Sequence, residues 1–167
     1  MSLIDTSYYI GEYKIGNLDS THPAAAINTA DLTWFQTKYE KEFLIKIMGE
    51  TMYDEFIAGL DVGSPDAKWT ALRNELRDET AKQSPIAAYV WYHYRLDKVT
   101  ASGSFGETQA KGENSTPASS AGKLRNAWNY ANTEAYKVAE WIGERMSTYT
   151  TADIDLNRFY LNNDFGI

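Results

Sequence analysis

A polar stretch past the middle of the chain limits the folds that this sequence can adopt. Residues 100–122 read TASGSFGETQAKGENSTPASSAG, and Phe105 is their single large apolar residue. Such a segment cannot fill a core, and a structureless loop longer than ~15 residues is uncommon in a compact domain unless it has a function. The core must therefore come from the segments on either side. We predict a protruding polar insert over residues 99–122, and a β-hairpin is one form that it can take.

Apolar residues recur at helical spacing on both sides of the insert. The residues that mark helix boundaries before it are Asp31, Ser64 with Pro65 and Ser84 with Pro85 as starts, and Gly49 as a stop. After it, residues 119–148 carry one long stripe in which Ala131 and Ala135 permit close approach of another helix. We predict a single all-α domain, a small bundle of four to five helices, with helices within residues 31–98 and a last long helix over 119–148.

The two ends of the chain carry apolar residues outside these helices. Residues 1–20 contain β-forming residues and glycines, which predicts an extended arm or short strand whose edge pairs with the insert or with another subunit. Residues 149–167 form a tail with aromatic anchors that dock on the body of the protein or on a neighbour. The candidate interface residues are Tyr8, Ile10, Tyr13, Ile15, Phe105, Phe159, Tyr160 and Phe165.

Composition favours protein contacts over contacts with nucleic acid or membrane. The chain has five Trp and twelve Tyr, residue types that are enriched at protein interfaces. Its net charge is -7 and no basic run is present, so we expect no grip on nucleic-acid phosphates, although DNA can pass such a surface. Cysteine is absent, which excludes disulfides and thiolate metal sites. Without a signal peptide or a long apolar run, we expect a soluble protein.

Few residues are candidates for catalysis or metal binding. The two histidines, His22 and His93, do not form a metal-ligand pair, and His93 lies in an aromatic helix where we expect it to be packed. Asp153 and Asp155 could place two carboxylates near a divalent cation, but we favour a solvated turn with caps as the explanation of the pair. We therefore predict no catalytic residues, no metal and no cofactor. An enzyme remains an alternative that cation binding at this pair would favour.

The chain resembles the bacteriophage head-tail connector (adaptor) proteins, especially those of phages and prophages of Bacteroidetes-type hosts. The likeness covers residues 31–146, most of the chain. The residues that carry it are FLIKIMG at 43–49, Met52, Tyr53, Phe56, Trp69, Leu72, AAYVWYHY at 87–94, Gly103, Gly106, Glu113, Asn114 and KLRNAWN at 123–129.

This resemblance implies a non-enzymatic virion protein of the phage neck, made in the bacterial cytoplasm. Such connectors form a homo-oligomeric ring below the portal, usually with twelve-fold symmetry, and extend the DNA channel. They contact the portal protein and the next neck or tail protein, and DNA passes through without specific binding. The alternative is a monomeric helical regulatory or inhibitor module that binds one protein partner through its aromatic face.

Overall fold

Helices account for most of the described chain, and one pair of short strands follows the fourth of them. The structure, a computed structural model, describes residues 2–16, 18, 25–103, 106–109 and 121–161. Within these residues the elements are α1 (Ala25–Met48), α2 (Glu50–Leu60), α3 (Ala67–Leu76), α4 (Pro85–Val99), β1 (Thr100–Gly103), β2 (Gly106–Gln109) and α5 (Ala121–Gly143). The predicted small all-α bundle of four to five helices is confirmed.

Two of the helix boundaries lie where the sequence places them. Helix α1 ends at Met48 because Gly49 adopts a φ of +82°, a conformation that side chains rarely allow. Helix α4 begins at Pro85, and the Ser84 hydroxyl accepts a hydrogen bond from the Ile86 amide at 3.2 Å. The same hydroxyl donates to the Leu76 carbonyl at 2.8 Å, so this cap also ties α3 to α4.

Three boundaries differ from the prediction. Helix α3 begins at Ala67 instead of Pro65, because the carboxylate of Asp66 accepts a hydrogen bond from the Lys68 amide at 3.0 Å and so provides the cap. Helix α1 begins at Ala25, six residues before Asp31. Helix α5 covers Ala121–Gly143 and is followed by turns, so it is shorter than the predicted 119–148.

Helix α4 lies at the centre of the bundle, between α1 and α5. It runs antiparallel to α1, since Phe35 contacts Tyr94 and Phe43 contacts Tyr89. On its other side α5 packs closely through the fully buried Ala131 and Ala135, as the sequence indicates. The core-facing residues of α4 are Ile86, Ala87, Ala88, Tyr89, Val90, Trp91 and Tyr94. None of the helices in the described residues is long and apolar enough to cross a membrane.

The N-terminal segment is not the extended arm that the sequence predicts. It makes two 3-10 turns, Thr6–Tyr8 and Gly11–Tyr13, and packs against the bundle. Its buried residues are Leu3, Ile4, Tyr8, Tyr9 and Ile15. The apolar residues whose alternation suggests a strand lie instead in this segment of turns. Their side chains are covered by the bundle, so the segment needs no partner strand.

The insert and the tail are described in part. Strands β1 and β2 pair antiparallel, with Thr100 opposite Gln109 and Gly103 opposite Gly106, which is the hairpin form that the sequence allows. The tail docks on the body of its own chain: the Asp153 amide donates to the Met48 carbonyl at 3.0 Å. A third 3-10 turn, Leu156–Arg158, follows.

Candidate interaction surface

One end of the bundle exposes large apolar side chains. Ile27 and Trp34 are 67% and 58% exposed and lie seven residues apart, which places them on one face of α1. Leu96 of α4 is 45% exposed. A salt bridge of 2.8 Å between Asp31 and Lys98 joins the two helices here, and α4 passes directly into β1. We call Ile27, Trp34 and Leu96 the end surface, and it lies beside the strand pair.

A shallow groove with a volume of about 420 Å³ continues from the end surface between α1 and α4. Its lining residues are Trp34, Phe35, Lys38, Tyr39, His93, Leu96 and Asp97. Aromatic rings form most of its wall, and the Lys38 ammonium lies 5.2 Å from the Trp34 ring centroid. The lining carries one ammonium, Lys38, and one carboxylate, Asp97, so this α1–α4 groove has no dominant charge and is suited to an apolar side chain.

His93 lies between aromatic rings of α1 and α4. Its ring stacks on Tyr39 with centroids 3.9 Å apart and planes inclined by 5°, and it meets Tyr89 edge-on at 4.7 Å. Burial lowers the pKa of His93 to about 4, against the opposing charge of Glu42. The ring is therefore neutral at neutral pH, and its buried Nε2 has no hydrogen-bond partner among the described residues.

A second aromatic cluster encloses the amine of Lys46. The nitrogen lies 5.3, 5.4 and 5.6 Å from the ring centroids of Trp128, Phe159 and Tyr160. It also donates a 2.8 Å hydrogen bond to Oδ1 of the buried Asn132. Burial lowers the pKa of Lys46, while Glu42 partly offsets the shift. This lysine cage joins the tail to α1 and α5.

A buried carboxylate holds the first residues of the chain. Glu40 of α1 accepts hydrogen bonds from the Leu3 amide and the Ser2 hydroxyl, each at 2.7 Å. Its burial raises its pKa, although both bonds act in the opposite direction. The Arg77 guanidinium also donates to the Leu3 carbonyl. The N-terminal segment is thus fixed by polar contacts as well as by its apolar side chains.

The predicted interface residues have different surroundings. Tyr8 and Ile15 are buried in their own fold, although Tyr8 also contributes to the wall of a shallow groove beside the N-terminal segment. Tyr13 is half-buried against Trp91 and Tyr130, whereas Ile10 is 51% exposed.

In the tail, Phe159 is partly buried in the lysine cage. Tyr160 remains 60% exposed although its ring contacts Trp128 at 5.7 Å. Phe105 and Phe165 lie outside the described residues. Sequence reasoning therefore placed two candidates on the surface that the structure buries.

The aspartates of the tail act as caps and ion-pair partners. Asp153 pairs with Arg158 at 2.7 Å, and the Asp155 carboxylate accepts a hydrogen bond from the Asn157 amide at 3.0 Å. Within the described residues, no group of three or more His, Asp or Glu side chains could hold a metal ion. The simpler interpretation of this pair, a turn with caps, accounts for both contacts.

Sequence reasoning missed the residues that stand out most in the structure. Ile27 lies before the predicted helix start at Asp31, and Trp34 lies after it. The predicted helix therefore does not place the two residues on one face. Lys46 looks like an ordinary surface lysine, and only the return of the tail shows its aromatic surroundings. The seven-residue spacing of Ile27 and Trp34 is the one signal that could have found the end surface.

Comparison with protein-family models, with curated proteins and with solved structures found no match. The function of the chain is therefore inferred from its own residues and surfaces.

Proposed function

We propose that this protein is a non-enzymatic assembly subunit, specifically a bacteriophage head-tail connector that forms a homo-oligomeric ring below the portal. In this role it extends the DNA channel and contacts the next neck or tail protein. The observation that carries the proposal is the presence of two exposed apolar surfaces on different sides of α4. A ring requires this arrangement, because each subunit uses one surface toward one neighbour and a different surface toward the other.

The first surface is the end surface together with the α1–α4 groove. The second is a shallow groove of about 450 Å³ beside the N-terminal segment, lined by Ile10, Tyr13, Lys82 and Tyr130 among others. His93 lines the first groove. Trp91 contacts the ring of Tyr13, which lines the second groove. Positions 91 and 93 differ by about 200° around a helix, so the two surfaces lie on opposite sides of α4.

Three further features support the phage-neck role. The resemblance of residues 31–146 to connector proteins includes helices that the structure places in the core. The net charge of -7 suits a channel wall that repels passing DNA. The strand pair after α4 lies next to the end surface, where it can add contacts to a neighbour.

Oligomeric state tests the proposal directly. We expect light scattering to show a ring or a concentration-dependent oligomer for the full chain, alone or with the portal protein of the same genome. Trp34→Ser should weaken this association at least about tenfold, since burial of a large side chain contributes about 1.5–3 kcal/mol. Val62→Ser, which changes an exposed apolar residue in the loop between α2 and α3, is the matched control. A strictly monomeric chain at high concentration with the portal present would refute the ring.

The α1–α4 groove also favours a second candidate, a monomeric regulatory module that binds one protein partner through its aromatic face. This function needs one groove and no second surface. The two candidates differ in their response to Ile10→Ser, which should weaken a ring but leave a single-groove complex intact. Genes for a portal and a capsid protein beside this one would support the connector, and an enzyme or regulator operon would support the module.

A further inference from the structure

The lysine cage joins the tail to the bundle through one amine. Phe159 and Tyr160 of the tail lie 5.4 and 5.6 Å from the Lys46 nitrogen, and Trp128 of α5 lies 5.3 Å from it. All three rings are within the ~6 Å at which an aromatic face attracts a cation. This contact between tail and bundle therefore depends on the positive charge of Lys46.

The preceding part of the tail is held in a different way. Tyr149 is buried in the core, and Ile154 is partly buried against it. Between them the Asp153 amide donates its hydrogen bond to the Met48 carbonyl. Apolar burial and backbone hydrogen bonding do not change with the charge of Lys46, so this part should stay docked when that charge is lost.

The residues next to the cage are exposed on their outer side. We call residues 159–161 the outer tail. Tyr160 and Leu161 are 60% and 55% exposed, and the Tyr160 carbonyl accepts a hydrogen bond of 3.2 Å from the Trp128 indole. With so much of the outer tail in solvent, the attraction between Lys46 and two of its rings is a substantial part of what holds it.

Lys46 is also chemically suited to accept an acyl group. Its nitrogen donates a 2.8 Å hydrogen bond to Oδ1 of Asn132, and the Asn132 amide donates in turn to the Trp128 carbonyl at 2.9 Å, so the amine has a fixed position. Burial lowers the pKa of Lys46, which makes the neutral, nucleophilic amine easier to reach than in an exposed lysine. Acylation removes the charge and with it the attraction to aromatic rings.

We propose that Lys46 is an acylation site and that its modification releases the outer tail from the bundle. The donor is a small acyl phosphate, for which acetyl phosphate is the probe. When the outer tail opens, the lone pair of the neutral amine attacks the acyl carbonyl carbon and forms a C–N bond. The C–O bond to phosphate breaks, phosphate leaves with that electron pair, and the nitrogen loses a proton to water. The amide formed is uncharged, so the cage no longer encloses a cation.

Replacing Lys46 by Nε-acetyl-lysine tests the release, and the indole N–H of Trp128 reports it by nuclear magnetic resonance. This group bonds to the Tyr160 carbonyl when the outer tail is docked. Its exchange with solvent should become at least about fivefold faster, as loss of the attraction between a cation and two rings implies. Nε-acetyl-lysine in place of Lys38 is the matched control, because that ammonium lies over two rings of α1 itself. It should leave the exchange unchanged.

Mass spectrometry after incubation with acetyl phosphate tests the modification. We expect acetylation of Lys46 in the wild-type chain. The rate should rise about threefold in Tyr160→Ser, which removes one ring of the cage and so opens the outer tail more often. Tyr136→Ser changes an exposed tyrosine of α5 and should leave the rate unchanged.

Three results would overturn the proposal. Lys46 could stay unmodified under conditions that acetylate Lys38, which would exclude the site. Unchanged Trp128 exchange with Nε-acetyl-lysine at position 46 would show that the outer tail stays docked without the charge. Equal acceleration by the modification at position 38 would assign the effect to general loosening of α1. If near-ultraviolet circular dichroism shows that the acetylated chain has lost its packing, Lys46→Met replaces it as the neutral variant and should give the same faster exchange.

Discussion

Replacing Gly49 by alanine should destabilise the junction of α1, α2 and the tail. Gly49 has a φ of +82° and a ψ of 162°, a backbone region that is essentially limited to glycine. A Cβ atom added here would lie 2.7 Å from Cβ of Asp153 and 3.3 Å from its backbone nitrogen. That nitrogen donates the hydrogen bond to Met48, so Gly49→Ala strains the backbone and also pushes the tail away.

The size of the effect follows from these two contributions. The strained backbone costs about 1–3 kcal/mol. Crowding against Asp153 adds about 1–3 kcal/mol, as overpacking does elsewhere. We therefore expect Gly49→Ala to lower the free energy of unfolding by roughly 2–6 kcal/mol, a large part of the 5–15 kcal/mol that is typical of a folded domain.

Two other glycines separate the contributions. Gly11 has a φ of +57° but no heavy atom within 4 Å of an added Cβ, so Gly11→Ala should cost only the strain of about 1–2 kcal/mol. Gly143 ends α5 with neither a positive φ nor a close neighbour, and Gly143→Ala should raise stability by up to about 1 kcal/mol. From most to least stable, the expected order is thus Gly143→Ala, wild type, Gly11→Ala and Gly49→Ala.

Urea unfolding followed by tryptophan fluorescence measures all three variants. Adding Asp153→Gly to Gly49→Ala should recover the crowding part of the loss but leave the backbone strain. If Gly49→Ala lost no more stability than Gly11→Ala, the close packing of the tail on this junction would be refuted.

Variants at three other residues test buried or enclosed ionisable groups by the same unfolding measurement. The folded pKa of Glu40 lies above its unfolded value, so wild-type stability should fall as the pH rises through the folded pKa. Glu40→Gln should remove this fall, while Glu40→Ala should cost about 1–3 kcal/mol by leaving a buried amide without an acceptor. The pKa of His93 is lowered to about 4 in the folded protein, so stability should be lost as the pH falls from 6.5 toward 4. His93→Phe keeps a ring stacked on Tyr39 and should reduce that loss. Lys46→Met should lower the free energy of unfolding by about 1–3 kcal/mol, because Oδ1 of Asn132 loses its hydrogen-bond donor. The same variant should speed amide hydrogen exchange in residues 156–161. Unchanged exchange would contradict the role of the lysine cage.

Local signals predicted some element boundaries well and others poorly. Gly49 and the Ser84-Pro85 pair acted as expected because a positive φ and a side-chain cap depend on one or two neighbouring residues. At α3 two cap candidates lie two residues apart, and the Asp66 carboxylate provides the cap where Ser64 was expected to. The sequence does not indicate the early start of α1 at Ala25, because the stretch before Asp31 consists mainly of alanines and carries one large apolar residue, Ile27, which gives no helical periodicity.

The candidate site was less predictable than the fold. Tyr8 and Tyr160 look alike in the sequence, as tyrosines near a chain end. Tyr8 is 2% exposed because the bundle covers it, whereas Tyr160 is 60% exposed and packs with one side against Trp128. Lys46 and Lys38 are likewise similar in the sequence, yet among the described residues of the tail Phe159 and Tyr160 fold around Lys46 and none contacts Lys38.

Helical periodicity, glycine breaks and caps act within about four residues, so the amino-acid sequence already determined an all-α bundle with a polar insert after its fourth helix. Exposure depends instead on residues far apart in the chain. Glu40 fixes Leu3 across 37 positions, and Trp128 meets Tyr160 across 32. Only the tertiary structure could therefore decide that the N-terminal segment is part of the core and that Trp34 and Leu96 remain uncovered by the described residues.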